Sequence, residues 1–165
     1  MKLLKTSLAA AVLALAAPRA AHAGANSSSF SVTATVAQNC TITTSPLAFG
    51  SYDPIVANAA AAQSLDATTS LSVACTKGAS AVTIALDAGT STNRTMKDTA
   101  STGTLSYQLY SDSARSSVWD ATTTVSYAPT SKVATPFTVY GRVPGGQDAP
   151  VGSGYADTVK ATVNF

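Results

Sequence analysis

The chain has 165 residues, a length that predicts a single domain. Only 11% of the residues are charged, well below the roughly 25% of an ordinary soluble domain. All acidic residues are aspartate, and serine and threonine are abundant, a composition that disfavours helices and suits strands joined by turns. The 45% hydrophobic content is enough for a core, and the repeats of collagen or coiled coils and long membrane spans are missing from the sequence.

Residues 1–23 have the features of a secretory signal peptide. Two lysines precede an apolar run over residues 7–17, which is too short to span a bilayer as a helix, and Ala21-His22-Ala23 is a typical cleavage site. The alternative is a membrane anchor. We expect cleavage before Gly24, export through the periplasm and a final location at the cell surface.

Removal of the signal peptide changes both the charge and the available chemistry. It takes away three basic residues and the only histidine, which leaves seven basic residues against eight aspartates and a net charge of about −1. Nucleic-acid binding is therefore not expected. Without His or Glu the chain cannot form a Ser-His-Asp triad or a histidine zinc site, and the aspartates lie mostly beside turn residues. We expect no enzyme activity, no catalytic residues, no metal, no cofactor and no small-molecule substrate.

The segment from Ser29 to Val36 alternates strictly between apolar and polar residues. This pattern predicts a strand with one buried face. The residues on that apolar face are Phe30, Val32, Ala34 and Val36.

The mature chain has two cysteines, Cys40 and Cys75. In the oxidising compartment that export implies, we expect them to form one disulfide. The alternative is a pair of buried free thiols.

Further alternating segments follow, separated by turn clusters rich in Pro, Gly and Asp, and together they predict an antiparallel sandwich or barrel. Trp119 is expected in the core or at its rim rather than as a sugar-binding platform. The inward faces are Leu71, Val73 and Cys75; Val82, Ile84 and Leu86; Leu105, Tyr107 and Leu109; Phe137, Val139 and Gly141; and Val159, Ala161, Val163 and Phe165.

Several motifs, taken in order along the chain, resemble the spore coat protein U-like domain family. They span essentially the whole mature chain, from Ser29 to Phe165. The motifs are Phe49-Gly50-Ser51-Tyr52-Asp53-Pro54 after a cysteine, Leu71-Ser72-Val73-Ala74-Cys75-Thr76-Lys77-Gly78, Ile84-Ala85-Leu86-Asp87-Ala88-Gly89, Arg94-Thr95-Met96, Leu105-Ser106-Tyr107-Gln108-Leu109-Tyr110, Tyr140-Gly141-Arg142-Val143, and Tyr155-Ala156-Asp157-Thr158-Val159 with Val163-Asn164-Phe165.

This resemblance implies an all-β fold, an incomplete immunoglobulin-like antiparallel sandwich that is completed by donor-strand exchange. Residues 24–38 would form an N-terminal extension with the donor strand, and residues 39–165 the pilin domain. The implied function is a structural subunit of a pilus or coat, assembled by the chaperone–usher pathway and serving adhesion and biofilm formation. The implied partners are neighbouring pilin subunits, a periplasmic chaperone and an outer-membrane usher. The chaperone would bind the C-terminal strand through Val159, Ala161, Val163 and Phe165.

Two other functions fit the sequence. One is a tip adhesin or carbohydrate-binding module. The other is a self-complete secreted coat protein, in which the segment from Phe30 to Val36 is simply the first strand of its own sandwich.

Overall fold

The computed structural model describes residues 23–165; residues 1–22, which hold almost all of the predicted signal peptide, lie outside the described residues. The described part of the chain contains ten strands and no helix, so it has no helix able to cross a membrane. The strands are β1 (Cys40–Thr44), β2 (Leu65–Cys75), β3 (Val82–Leu86), β4 (Thr95–Asp98), β5 (Thr104–Ser106), β6 (Gln108–Tyr110), β7 (Val125–Tyr127), β8 (Thr135–Val143), β9 (Tyr155–Ala156) and β10 (Ala161–Asn164).

The strands form three antiparallel sheets. The first has the order β1-β2-β8-β6, the second β10-β3-β7 and the third β5-β4-β9. Strands β5 and β6 are one run of chain that changes sheet at Tyr107, where the backbone N–H donates to the carbonyl of Arg94 at 2.8 Å. The all-β antiparallel fold predicted from the sequence is confirmed.

The longest pairing, between β2 and β8, forms the centre of the first sheet. Its register places Leu71 opposite Phe137 and Asp66 opposite Arg142. The Arg142 guanidinium donates to both carboxylate oxygens of Asp66 at 2.8 Å, a bidentate geometry that fixes the register on the outer face. Every second residue of β2 then points inward, as the alternation predicted.

The core lies between the inward faces of the strands. Trp119 is 1% exposed, and its indole N–H donates to the carbonyl of Ile84 at 2.8 Å, so the core placement expected for this residue is confirmed. The buried core residues are Leu71, Val73, Cys75, Ala79, Val82, Ile84, Leu86, Leu105, Tyr107, Leu109, Trp119, Val139 and Val143.

Cys40 and Cys75 form a disulfide, as the sequence predicted. They face each other in the β1–β2 register, with their Cα atoms 4.1 Å apart. The bond joins the first residue of β1 to the last residue of β2. It therefore fixes β1, the outermost strand of the first sheet, to the central pair.

The segment from Ser29 to Val36 differs from its prediction as a strand with a buried face. Residues 23–39 contain no regular secondary structure, and the side chains of Phe30, Val32 and Val36 are more than four-fifths exposed. An amphipathic strand needs a neighbouring strand for its backbone and cover for its apolar face. This segment has neither in the single chain.

Loss of the disulfide should destabilise the domain by about 4 kcal/mol, the chain-entropy value for a loop of 35 residues. The measurement is urea unfolding of mature wild type against the double variant Cys40→Ser with Cys75→Ser. Wild type reduced with dithiothreitol controls for the serine substitutions and should match the variant. Equal unfolding midpoints for oxidised wild type and the double variant would contradict the prediction.

Candidate functional site: an apolar groove between two sheet edges

Strands β1 and β10 are the edges of two different sheets, and they lie side by side. Each is paired on one side only, β1 with β2 and β10 with β3. Their Cα atoms approach within 8 Å, yet no backbone hydrogen bond joins the two strands in the part of the chain that the structure describes. Two strand edges with unpaired N–H and C=O groups therefore face a common gap.

A cavity of about 580 Å³ opens where β1 ends and β10 begins. Its floor is made of core side chains from both sheets, including Leu71, Leu86, Leu109 and Val139. Protein interiors are close-packed and hold few voids larger than one water molecule. The cavity is open to solvent, so the core residues at its floor have no protein cover on this side.

A second cavity, of about 620 Å³, adjoins the first. It lies under the segment from Leu47 to Pro54 and the loop from Ala149 to Ser153. The two cavities share four lining side chains and so form one groove that these side chains divide. The shared residues are Leu47, Phe49, Met96 and Tyr155.

One wall of the groove is the chain that follows β1. The N–H of Ser45 donates to the carbonyl of Ser70 at 3.1 Å, which holds the start of this wall against β2. Leu47 and Phe49 then lie over Gly141 of β8, where a Cβ atom would come within 2.7 Å of both side chains. Gly141 is therefore the position that allows the wall to pack down onto the sheet.

The loop beyond this wall is held by buried polar contacts. Asn58 is 5% exposed; its side chain accepts from the N–H of Asp53 at 3.0 Å and donates to the carbonyl of Gln63 at 2.8 Å. The Tyr52 hydroxyl accepts from the N–H of Gln147 at 2.8 Å. These bonds tie the loop over residues 52–63 to the chain that follows β8.

Asp157 organises the opposite wall, just before β10. Its carboxylate accepts hydrogen bonds from three parts of the chain, including the Tyr107 hydroxyl at 2.7 Å. Gly89 has a φ of +81°, and a Cβ atom there would overlap this carboxylate, so the site requires glycine. The other donors are the Thr90 N–H at 2.9 Å, the Thr90 hydroxyl at 2.6 Å, the Ser91 hydroxyl at 3.3 Å and the Thr158 N–H at 2.8 Å.

These contacts shift the pKa values of Asp157 and Tyr107 in directions that preserve the hydrogen bond between the two side chains. Burial opposes ionisation of Asp157, but the hydrogen bonds from Thr90 and Tyr107 outweigh it and hold the pKa of the carboxyl below 3.8. Burial and the hydrogen bond to Asp157 raise the pKa of the Tyr107 hydroxyl. The carboxylate therefore stays charged and the phenol stays a donor at neutral pH.

The last predicted strand is shorter than its alternation suggested, because β10 contains Ala161 and Val163 while Val159 lies before it and Phe165 after it. Val159, Ala161 and Val163 are half-buried and pack against the core, and β10 pairs with β3 in a register that places Val163 opposite Ile84. Phe165 lies beyond the end of β10 and is 50% exposed, although the β10–β3 register continued by one residue would place it opposite Val82 of β3. The face predicted to end in an aromatic residue therefore ends at Val163.

The groove presents apolar surface and backbone hydrogen-bonding groups rather than side chains suited to bind a metal ion or to react. Within residues 23–165 no three His, Cys, Asp or Glu side chains are grouped in a way that could hold a metal ion. The groove's single carboxylate near the floor, Asp157, is fully used in holding its wall. Such a surface is suited to an extended apolar segment of protein.

Comparison with known proteins identifies the family. The model of the Spore Coat Protein U domain matches residues 26–162. The chain belongs to the spore coat protein U family. The resemblance predicted from the sequence motifs is thereby confirmed.

One relative and one more distant solved structure are similar to this chain. Protein U of Myxococcus xanthus is 39% identical over an alignment of 181 residues that covers 100% of both proteins. A chain of the crystal structure of the CsuC–CsuE chaperone–tip adhesion subunit pre-assembly complex, from archaic chaperone-usher Csu pili of Acinetobacter baumannii, superposes with a TM-score of 0.55. The match has 19% identity and covers 79% of this chain but only 41% of that one, so it shows the fold alone.

The family motifs converge on the groove. The sequence placed Tyr107, Gly89 and Asp157 in three separate motifs, and the structure brings them together in one wall. Phe49 and Gly141, from two other motifs, meet in the opposite wall. Sequence reasoning placed Tyr107 and Gly141 on inward strand faces but assigned none of these residues to a groove. The sequence feature that could have pointed to these residues is a glycine or aspartate next to an alternating strand in each motif.

Tyr107→Phe should destabilise the domain by roughly 1.5–3 kcal/mol, the range for a hydrogen bond to a charged group. The variant keeps the buried ring and removes only the donor to Asp157. Thermal unfolding against wild type measures the loss. Tyr110→Phe is the matched control, because its hydroxyl makes no hydrogen bond within the described residues, and it should be neutral. A Tyr107→Phe midpoint equal to that of the control would count against the role given to Asp157.

The stabilisation by Asp157 should depend on pH in a defined direction. Its pKa in the folded protein lies below 3.8, so the ionised carboxylate stabilises the fold above that pH and the effect is lost as the pH falls through the folded value. Asp157→Asn should therefore be clearly less stable than wild type at pH 7, and the difference should shrink below about pH 4. Urea unfolding at pH 7, 5 and 3 tests this. A constant difference across the series would disprove the electrostatic explanation.

Proposed function

We propose that this chain is a non-enzymatic structural subunit of a surface pilus or coat assembled by a chaperone–usher pathway. Subunits join head to tail when the N-terminal extension of one, residues 24–38, places a strand in the groove of the next. Secretion through the periplasm leads to the cell surface, where the fibre serves adhesion and biofilm formation. The periplasmic chaperone and the outer-membrane usher are the assembly partners.

The observation that carries this proposal is the cavity of about 580 Å³ between the unpaired edges of β1 and β10. Open strand edges beside uncovered apolar surface cause aggregation unless another strand covers them. A strand inserted in the gap would pair with β1 or β10 and place every second side chain on the core. This is β-augmentation, a common mode of binding an extended segment.

The N-terminal segment has the properties that a donor requires. Phe30, Val32, Ala34 and Val36 point to the same side of an extended strand, and the side chains of Phe30 and Val32 are more than 80% exposed in the single chain. The seven residues reach roughly 20 Å as a strand. Burial of Phe30 and the two valines contributes about 1.5–3 kcal/mol each before ordering costs.

The C-terminal strand is the proposed chaperone contact. The free edge of β10 is available before a donor strand arrives, and Val159, Ala161 and Val163 already belong to the shared core. A chaperone strand on this edge covers the groove until subunits exchange. Phe165, exposed beyond β10, then packs against the chaperone.

The names of the similar proteins support this assignment. The Csu structure is of a chaperone bound to a tip adhesion subunit, in a pre-assembly complex of pili of this general kind. Trp119 speaks against a carbohydrate-binding module, because it is buried with its N–H already bonded to Ile84. A self-complete coat protein would require the segment from Phe30 to Val36 to be buried, whereas Phe30 is 86% exposed.

The test compares two substitutions on opposite faces of the donor segment. Val32→Asp forces a charge into an apolar groove and should abolish fibre assembly while the subunit still folds with its chaperone. Thr33→Asp adds the same charge on the outward face and should assemble normally. Both are expressed with the cognate chaperone and usher, fibres are counted on cells, and co-purification with the chaperone reports folding.

Two results would contradict the proposal. Wild-type numbers of fibres with Val32→Asp would show that this segment is not the donor. Loss of the chaperone complex with Val32→Asp, but not with Thr33→Asp, would show that the segment is a strand of its own domain.

A further inference from the structure

The three residues between the donor segment and β1 are fixed to the domain. The Gln38 side chain accepts from the N–H of Ser80 at 3.0 Å and donates to the carbonyl of Ser80 at 3.1 Å. The Thr76 hydroxyl accepts from the N–H of Asn39 at 3.1 Å and donates to the carbonyl of Ala37 at 3.2 Å. We call Gln38, Thr76 and Ser80 the leader clamp.

The leader clamp sets the direction in which the chain approaches β1. The N–H of Thr76 donates to the carbonyl of Asn39 at 2.8 Å, so the pairing of β1 with β2 continues one step beyond the disulfide. Residues 37–39 therefore extend the line of β1 away from Thr44. The cavity lies at the Thr44 end of β1.

Insertion of the donor segment into its own groove would require the opposite direction. Only residues 37–39 separate Val36 from Cys40, so the chain would have to reverse within them and run back along the free edge of β1. Tight reversals of this kind need residues with positive φ, usually in Asn-Gly or Gly-containing turns. None of residues 37–39 has a positive φ, and none is glycine.

We propose that Gln38 and Thr76 are positioning residues that prevent self-complementation and direct the donor strand to a second copy of this chain. The inference rests on the proposed function, since it concerns the donor segment named there. The leader clamp keeps residues 37–39 extended, which excludes the hairpin that would fill the subunit's own groove. Without the leader clamp, insertion of the donor segment into the groove of its own chain is favoured, because the linked segment has a high effective concentration there.

The experiment is chaperone-free refolding of the mature chain, residues 24–165, with its disulfide intact. Wild type should form mainly oligomers on size exclusion. The double variant Gln38→Ala with Thr76→Val removes the leader clamp, and its ratio of monomer to oligomer should rise roughly fivefold or more, the equivalent of one net hydrogen bond. The new monomer should vanish when Val32→Asp is added, because it depends on the donor segment in its own groove.

Gln147→Ala is the matched control. The Gln147 side chain makes the same pair of bonds to one backbone residue, with Ser106, at 2.8 and 3.0 Å, and within the described residues it makes no hydrogen bond to residues 37–39, Thr76 or Ser80. It should leave the monomer ratio at the wild-type value. The thermal midpoints of Gln38→Ala and Gln147→Ala show whether any difference comes from general destabilisation.

The outcomes separate the two proposals. Oligomers from wild type together with an unchanged ratio in the clamp variant overturn the role of Gln38 and Thr76 and leave the proposed function standing. A wild-type chain that refolds as a stable monomer, unaffected by Val32→Asp, overturns the proposed function and this inference with it. A clamp-variant monomer that persists with Val32→Asp also overturns the inference.

Discussion

Between β1 and β10, two backbone edges without partners stand over an apolar floor that includes Leu71, Leu86 and Val139. Unpaired backbone groups and uncovered apolar side chains both cost free energy, and together they favour the addition of a strand. The domain must keep this gap open without collapsing into it. The surrounding structure is rigid, and this rigidity keeps the gap from closing.

The two sides of the gap are held by different means. On the β1 side, the disulfide between Cys40 and Cys75 joins the edge strand covalently to the longest pairing in the domain. On the β10 side, Asp157 gathers donors from Tyr107 and from the loop after β3, which leaves little freedom for the chain before β10. A network whose donors and acceptors are all hydrogen-bonded is rigid, and a rigid wall does not move inward to fill the cavity.

The sequence predicted the strands that belong to longer alternating runs, including the short pair β5 and β6, and missed the isolated short ones. Alternation in β2, β3 and β8 was visible because one face of each is buried along most of its length. Strands β4, β7 and β9 have two to four residues, too few for any period to be seen. Strand β1 escaped notice because threonines surround its single inward isoleucine, Ile42.

The groove itself was less predictable than the strands that border it. The apolar face of the segment from Phe30 to Val36 could be found by spacing, but periodicity does not show what covers that face, and in the single chain Phe30, Val32 and Val36 are exposed. The wall around Asp157 joins residues 50 to 67 positions apart, and such contacts leave no local periodicity in the sequence. Phe165 continues the alternation of β10 in the sequence, yet it is half exposed and lies beyond the last residue of that strand.

The geometry of residues 37–39 also bears on the form of the assembly. The chain before Cys40 leaves the domain beside Ser80, whereas the groove opens at the Thr44 end of β1, so the proposed donor and acceptor are different surfaces at opposite ends of one strand. A contact between two different surfaces is heterologous and propagates as a filament unless its rotation closes a ring. Three residues span at most about 10 Å, and here they are bonded to the domain. In the proposed fibre, residues 37–39 would therefore form a short, anchored connection between the disulfide-linked edge strand of one subunit and the donor strand beyond it.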